Sequence, residues 1–377
     1  MLFPPRRQVL RLGVGLAMAA LVAGCSSTGS SSSAANQVSA KGTTLVIYLS
    51  GAPDPNSLQQ QVLEAEQLAC HQLSGNISGT SLSVKCDTIV KGELSSHART
   101  AIQDESSIAY IGEIEPGDSE QSVGITNALD LPQVSPTDTA PIPDGDYEEL
   151  STYGRTFARI APTSAQEAQA VLAEMKKLGV KNLYVTGDSS DYGRALQAAV
   201  RSEASADGIT VNNSETAVNA IFYGGNSAGA AERYAAGASS TAQSTKLFLP
   251  SALAGLNFSS GDWSRFSAVY VSQPGPAGAA DKSFASQFSS AYGSAPSPQA
   301  AYGYAAVQAV IHALDAAGKS ATNRSTVRAD LHKLSNLSTV VGPLSISADG
   351  NSSLGASAFV FSRLHAGRLV LLSSRGT

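Results

Sequence analysis

Five consecutive residues, Gly225-Asn226-Ser227-Ala228-Gly229, satisfy the Gly-x-Ser-x-Gly pattern. In that pattern a sharp strand-to-helix turn lifts a serine hydroxyl clear of the backbone for attack on an acyl carbon. Ser227 would need a histidine base, yet His312 and His332 fall in helical patterns and His365 in a turn of the tail. In a chain with 34 glycines the pattern also arises by composition in any loop between a strand and a helix, so a serine hydrolase using Ser227 is the lesser reading. Gly318-Lys319-Ser320 imitates the end of a phosphate-binding loop, but Ala313 stands where that loop needs a glycine, and the tripeptide reads as a helix C-cap. The acids Asp144, Asp146, Glu148 and Glu149 lack the spacing of a calcium loop and read as a solvated segment. No histidine sits at zinc-ligand spacing from a cysteine, because His71 points about 100° around the helix from Cys70. No metal and no cofactor is expected.

The ends of the chain place it in a compartment. Arg6, Arg7 and Arg11 precede an apolar run over residues 12–24, the make-up of an export signal. The run falls short of the roughly twenty residues a bilayer span requires. It ends in Leu21-Val22-Ala23-Gly24-Cys25, which resembles the lipobox of bacterial lipoproteins. That resemblance implies cleavage after residue 24, lipidation of Cys25 and a stable anchor in the membrane through two or three acyl chains. Residues 26–40 are serine-rich and small, a tether. Loss of three arginines and no acids with the signal takes the formal charge from −5 to −8, which argues against a nucleic-acid partner. With Cys25 assigned to lipid, Cys70 and Cys86 remain, and two cysteines in an exported protein predict one disulfide.

Some 340 residues follow the tether, more than one hydrophobic core usually serves. A β-branched run at 44–49 leads to a loop, and Ser57 then caps a helix with apolar positions at Leu58, Val62, Ala65, Ala69 and Leu73. Strand 82–90, helix 96–104 and strand 108–111 continue a β-α-β-α-β series, and a second series runs from the helix around residues 168–178 to a strand at 269–271. Within it, residues 210–218 are expected as a strand. Alternation of this kind predicts parallel sheets with helices on both faces, so the fold class is α/β with two doubly wound, Rossmann-like lobes.

The order of elements and several strings together resemble the type I periplasmic binding proteins, in the leucine/isoleucine/valine-binding branch. The strings are Tyr110-Ile111-Gly112, Leu131-Pro132-Gln133-Val134-Ser135-Pro136-Thr137-Asp138-Thr139-Ala140, Phe157-Ala158-Arg159-Ile160-Ala161-Pro162, Gly187-Asp188-Ser189-Ser190-Asp191-Tyr192-Gly193, Tyr302-Gly303-Tyr304 and Val341-Gly342-Pro343-Leu344. The resemblance implies a three-segment hinge, with crossings near Arg159, Pro274 and Gly342. It divides the chain into a signal (1–24), a lipidated tether (25–42), lobe 1 (43–158 with 275–340) and lobe 2 (159–274 with 341–377). It also implies a binding protein that closes on a small polar solute, does no chemistry on it and delivers it to an ABC permease; a sensing lipoprotein of the same fold is the alternative.

Position by position, the resemblance assigns ligand contacts to Ser119, Thr137, Asp138, Thr139, Tyr192, Tyr223, Asn226 and Ser251. Two departures stand out. Glu115-Pro116-Gly117-Asp118 replaces the donors that normally hold a ligand carboxylate, since proline has no N–H and the acids repel an anion. Ser251 stands where an acid normally pairs with an amino group. A branched-chain amino acid is therefore disfavoured, and Asp138 is the expected substitute counter-charge for an amine or other cation.

Overall fold

The structure is a computed structural model that describes residues 38–51, 57–142, 155–238, 243–259, 261–276 and 282–372. The export signal, Cys25, most of the tether and the acids at 144–149 lie outside the described residues.

Ser57 caps the first helix as its place before the apolar series predicts: its hydroxyl accepts from Gln60 N–H at 3.1 Å and α1 runs Leu58–Leu73. Strand β1 (Thr44–Ser50) is flanked by β2 (Ser83–Ile89) and β3 (Ser107–Ile111), and β4 (Gln133–Ser135) and β5 (Phe157–Arg159) extend the sheet. All five are parallel, in the order β2-β1-β3-β4-β5. Helices α2 (Leu94–Gln103) and α3 (Val123–Asn127) make two of the connections. A central parallel strand is covered on both faces, which explains why β3 is a continuous run of buried residues.

Helix α4 (Ser164–Lys177) opens the second series with a capping box, Thr163 accepting from Gln166 N–H while the Gln166 side chain accepts from Thr163 N–H. Strands β6 (Asn182–Gly187), β7 (Thr210–Asn212), β8 (Ala220–Gly224), β9 (Lys246–Leu249) and β10 (Ala268–Pro274) form a second parallel sheet with helices α5 (Asp191–Glu203) and α6 (Ala228–Gly237). Its order, β7-β6-β8-β9-β10, repeats the winding of the first. The strand expected over 210–218 is corrected. Only its first three residues pair, at the sheet edge, and Ala217 turns the backbone through a positive φ of 61°. The buried central strand is Ala220–Gly224.

From β10 the chain returns to the first core through α7 (Lys282–Tyr292), α8 (Ala300–Ala317) and α9 (Arg324–Leu331). Gly303 lets α8 approach α1 closely, since a Cβ there would overlap the carbonyl oxygen of Val62. The hairpin β11 (Leu337–Thr339) and β12 (Gly342–Leu344) follows. Strand β13 (Phe359–His365) then pairs antiparallel with β10, and β14 (Arg368–Leu371) closes the edge. The third passage thus comes at Ala358 to Phe359, well after Gly342, because Val341, Leu344, Ile346, Leu354 and Ala358 are buried in the first core and Phe359 and Phe361 in the second. Among the described residues no helix is long and apolar enough to cross a membrane.

Cys70, near the end of α1, and Cys86, in β2, are disulfide-bonded, with Cα atoms 6.3 Å apart and a sequence separation of 16. Closing a loop of that length stabilises by about 3 kcal/mol in the chain-entropy model. The double variant Cys70→Ser/Cys86→Ser is expected to lose about that much in urea unfolding; an unchanged midpoint in oxidised and reduced samples alike would show that the bond constrains nothing.

Candidate functional site

In a doubly wound sheet the connections diverge to opposite faces where the strand order reverses, leaving a crevice beyond the carboxyl ends of the strands. Here the reversals lie between β1 and β3 and between β6 and β8. The loops that follow these strands meet. Asn226 Nδ2, after β8, donates to Pro116 O, after β3, at 3.3 Å. Gly117 makes this approach possible: a Cβ there would come within 3.2 Å of Asn226 Nδ2, and its φ of 98° favours glycine. Beside this contact lies a cavity of about 300 Å³ between the sheets, lined among others by Ser57, Gln59, Glu115, Asp118, Asn226 and Ala252. A second, of about 380 Å³, is lined by residues of the first sheet's edge, including Ser50, Glu93, His97 and Glu113. Gln59, Glu115 and Asp118 border both.

Of the eight expected contact residues, Asn226 alone lines either cavity. The others are buried and turned inward. Thr137 donates to Ile114 O at 2.6 Å, and the Ser119 hydroxyl accepts from Glu113 N–H at 3.4 Å. Asp138 is not poised as a counter-charge for a ligand. One carboxylate oxygen accepts from Gly117 N–H and Ala140 N–H, both at 2.9 Å, and the other from Ser119 N–H at 3.1 Å, so backbone donors saturate it. Arg159 secures the same turn by donating to the carbonyls of Asp138 and Ala140 at 3.0 and 2.5 Å.

Thr139, Tyr192 and Ser251 do come together, around a residue the sequence did not single out. Glu167, fully buried in the first turn of α4, accepts from Ser251 N–H at 2.6 Å and Ser272 Oγ at 2.7 Å on one oxygen. Its other oxygen accepts from Tyr192 OH and Ser251 Oγ at 3.0 Å and from Thr139 Oγ1 at 3.3 Å. Burial still pushes its pKa up against the pull of these donors. Tyr223 is a packing residue in the second sheet's core, its ring 5.3 Å from that of Tyr234. Ser227 is the N-cap of α6, accepting from Ala230 N–H, while its own N–H donates to Asp188 at 2.8 Å. His332 meets Ala348 O, and His312 and His365 lie on α8 and β13, so none of the three is placed as a base for Ser227. Gly318–Ser320 is a single 3-10 turn at the end of α8, as its C-cap reading requires.

Acids dominate the open part of the site. Burial pushes Glu113 up to about 7 although Tyr110 and Ser50 donate to it at 2.5 and 2.6 Å. Glu115, which accepts from Gln59 Nε2 at 2.6 Å, is pushed up to about 7 by burial and by repulsion from Asp118 and Asp138. Asp118 rises to about 6 for the same reasons, burial first and then Asp138. His97, whose Nδ1 lies 3.0 Å from Ser50 Oγ and Nε2 3.1 Å from Lys91 O, is lowered by burial. His97 was not a sequence candidate, and no spacing marked it.

A carboxyl group whose pKa is higher in the folded than in the unfolded chain contributes stability that is complete below about pH 4 and is lost as pH rises through its folded value. For Glu115 the window runs to about 7. Glu115→Gln keeps an acceptor for Gln59 but cannot ionise. Its Tm is expected to match that of the parent near pH 4 and exceed it by a few degrees at pH 8; equal values at both pH values would contradict a Glu115 charge disfavoured by its surroundings.

Comparison with known proteins agrees with the winding. The family model described as "Receptor family ligand binding region" matches residues 30–247, more than half of the chain, and the one described as "Periplasmic binding protein" matches residues 226–363. No curated protein matches the sequence significantly. Similar solved structures include a leucine-binding protein of Thermotoga maritima, 17% identical, with a TM-score of 0.70 over 88% of this chain and 98% of that one. An ABC transporter substrate-binding protein of Desulfitobacterium hafniense in complex with Leu is 20% identical, with a TM-score of 0.66 over 87% and 100%. A solute-binding protein of an R. palustris ABC transporter in complex with benzoate is 17% identical, with a TM-score of 0.63 over 88% and 96%. With its two like-wound sheets and three passages of backbone between their cores, the chain belongs to the receptor-family ligand-binding proteins, of the type I periplasmic binding protein fold.

Proposed function

We propose that the chain is the extracytoplasmic solute-binding lipoprotein of an ABC-type uptake system, held to the membrane through lipid on Cys25. It binds a small polar solute between two lobes, one built on residues 38–161 and 282–358 and the other on 162–276 and 359–372, and hands it to a permease. One observation carries the reading: the cavity between the two sheets is lined from the carboxyl ends of β1 and β3 on one side and of β8 and β9 on the other. A solute held there touches both lobes, so its affinity for the closed form is what drives closure. The proteins of similar fold are described as binding leucine or benzoate, which supports a binding role and leaves the solute to be derived from this site.

Small-angle scattering of the protein with and without a low-molecular-weight extract of its own cells tests the reading. A smaller radius of gyration with the extract, and release of the protein from membranes in Cys25→Ser, are expected. An unchanged radius and ester hydrolysis lost in Ser227→Ala would favour the enzyme instead.

A further inference from the structure

We propose that the cavity between the sheets takes a solute bearing an amine cation and no carboxylate, with Glu115 and Asp118 as its counter-charges. This rests on the receptor reading above and names the solute class of the same site.

Three observations converge on it. Among the described residues, the lining of both connected cavities includes Glu93, Glu113, Glu115 and Asp118 and not one lysine or arginine. A carboxylate entering that field would be repelled, and a cation drawn in. The groups suited to holding a carboxylate are, moreover, already engaged by the chain's own acids. The backbone donors of Gly117, Ser119 and Ala140 end on Asp138, and the hydroxyls of Thr139, Tyr192, Ser251 and Ser272 end on Glu167. An incoming carboxylate finds donors facing away from it, whereas an ammonium needs only acceptors.

Acceptors are what the cavity presents. The amide nitrogens of Gln59 and Asn226 each spend one N–H on Glu115 and Pro116 O, and each side chain also carries a carbonyl oxygen that can accept from an ammonium. Burial first, and then repulsion of Glu115 by Asp118 and Asp138 and of Asp118 by Asp138, pushes the two acids up to about 7 and about 6, with no lysine or arginine among the described lining residues. A bound ammonium between them removes the repulsion and restores the charged forms.

Calorimetric titration of the full chain with 1,4-diaminobutane and choline as amine probes, and with leucine and benzoate as carboxylate-bearing probes, tests the proposal. At least one amine is expected to bind, with affinity about tenfold or more weaker in Glu115→Gln and in Asp118→Asn, while leucine and benzoate give no heat of binding. Circular dichroism of each variant reads its folding independently. Binding of leucine or benzoate while the amines stay silent overturns the solute class and leaves the receptor reading standing. Equal amine affinity in parent and both variants overturns the role of the two acids. Silence from every probe, with no change in the radius of gyration on adding cell extract, overturns the receptor reading and the proposal with it.

Discussion

Buried carboxylates at the carboxyl ends of parallel strands are the constraint on which the structure turns. At such an edge helices begin, backbone N–H groups point outward and hydroxyls cluster, so negative charge gathers there. Most proteins wound this way leave that place to a ligand. This chain fills much of it itself. Asp138 ties the loop after β3 to the turn after β4, and Glu167 ties α4 to the turn after β4, to α5 and to the ends of β9 and β10. Removing either carboxylate would orphan several buried donors at once, each worth about 1–3 kcal/mol when left unmet. The second sheet's edge is therefore rigid and inward-facing, and the space left to a solute lies outward, beside Gln59, Glu115 and Asp118.

The remaining acids carry the opposite meaning. Asp138 and Glu167 are surrounded by donors, whereas the half-buried Glu115 and Asp118 accept from one amide side chain each, Gln59 and Gln121, and are repelled by Asp138. An arrangement that destabilises the fold near neutral pH without a cationic partner among the described lining residues is what a site selected for binding looks like, because unmet charge collects where function needs it. Ser50 extends the pattern below the cavity. Its Oγ lies 2.6 Å from Glu113 Oε2 and 3.0 Å from His97 Nδ1; because His97 Nε2 meets the acceptor Lys91 O, a neutral His97 accepts the Ser50 hydroxyl proton at Nδ1 in a hydrogen bond, and Ser50 in turn accepts from a protonated Glu113.

Much of the fold was legible in the sequence. Ser57 ahead of a helical apolar series, the apolar face of the helix around 168–178, and the isolated run 108–111 each state their element locally. Strands β4 and β5, three residues each, did not, since a strand that short has no period to read and is fixed by its neighbours. The 210–224 region was misread because the polar stretch through Asn212, Asn213 and Ser214 ends the edge strand, and the run that forms the central strand begins only at Ala220. Of the site, the sequence offered the cavity residue Asn226 and not its acidic neighbours Glu115 and Asp118 as ligand contacts. Thr139, Tyr192 and Ser251 meet around Glu167, which the sequence did not announce, because a glutamate in the first turn of a capped helix ordinarily reads as a surface charge favoured by the helix dipole. Only the packing of α4 against the second sheet buries Glu167 and makes those three residues its ligands.

Function in this molecule turns on the charge of what the cavity holds. Native mass spectrometry of the protein purified gently from its own cells, followed by fragmentation of any small molecule released, reads that charge directly. The account predicts a solute with at least one basic nitrogen and no carboxyl group, released from the parent and absent from Glu115→Gln; a co-purified amino acid or aromatic acid would contradict it.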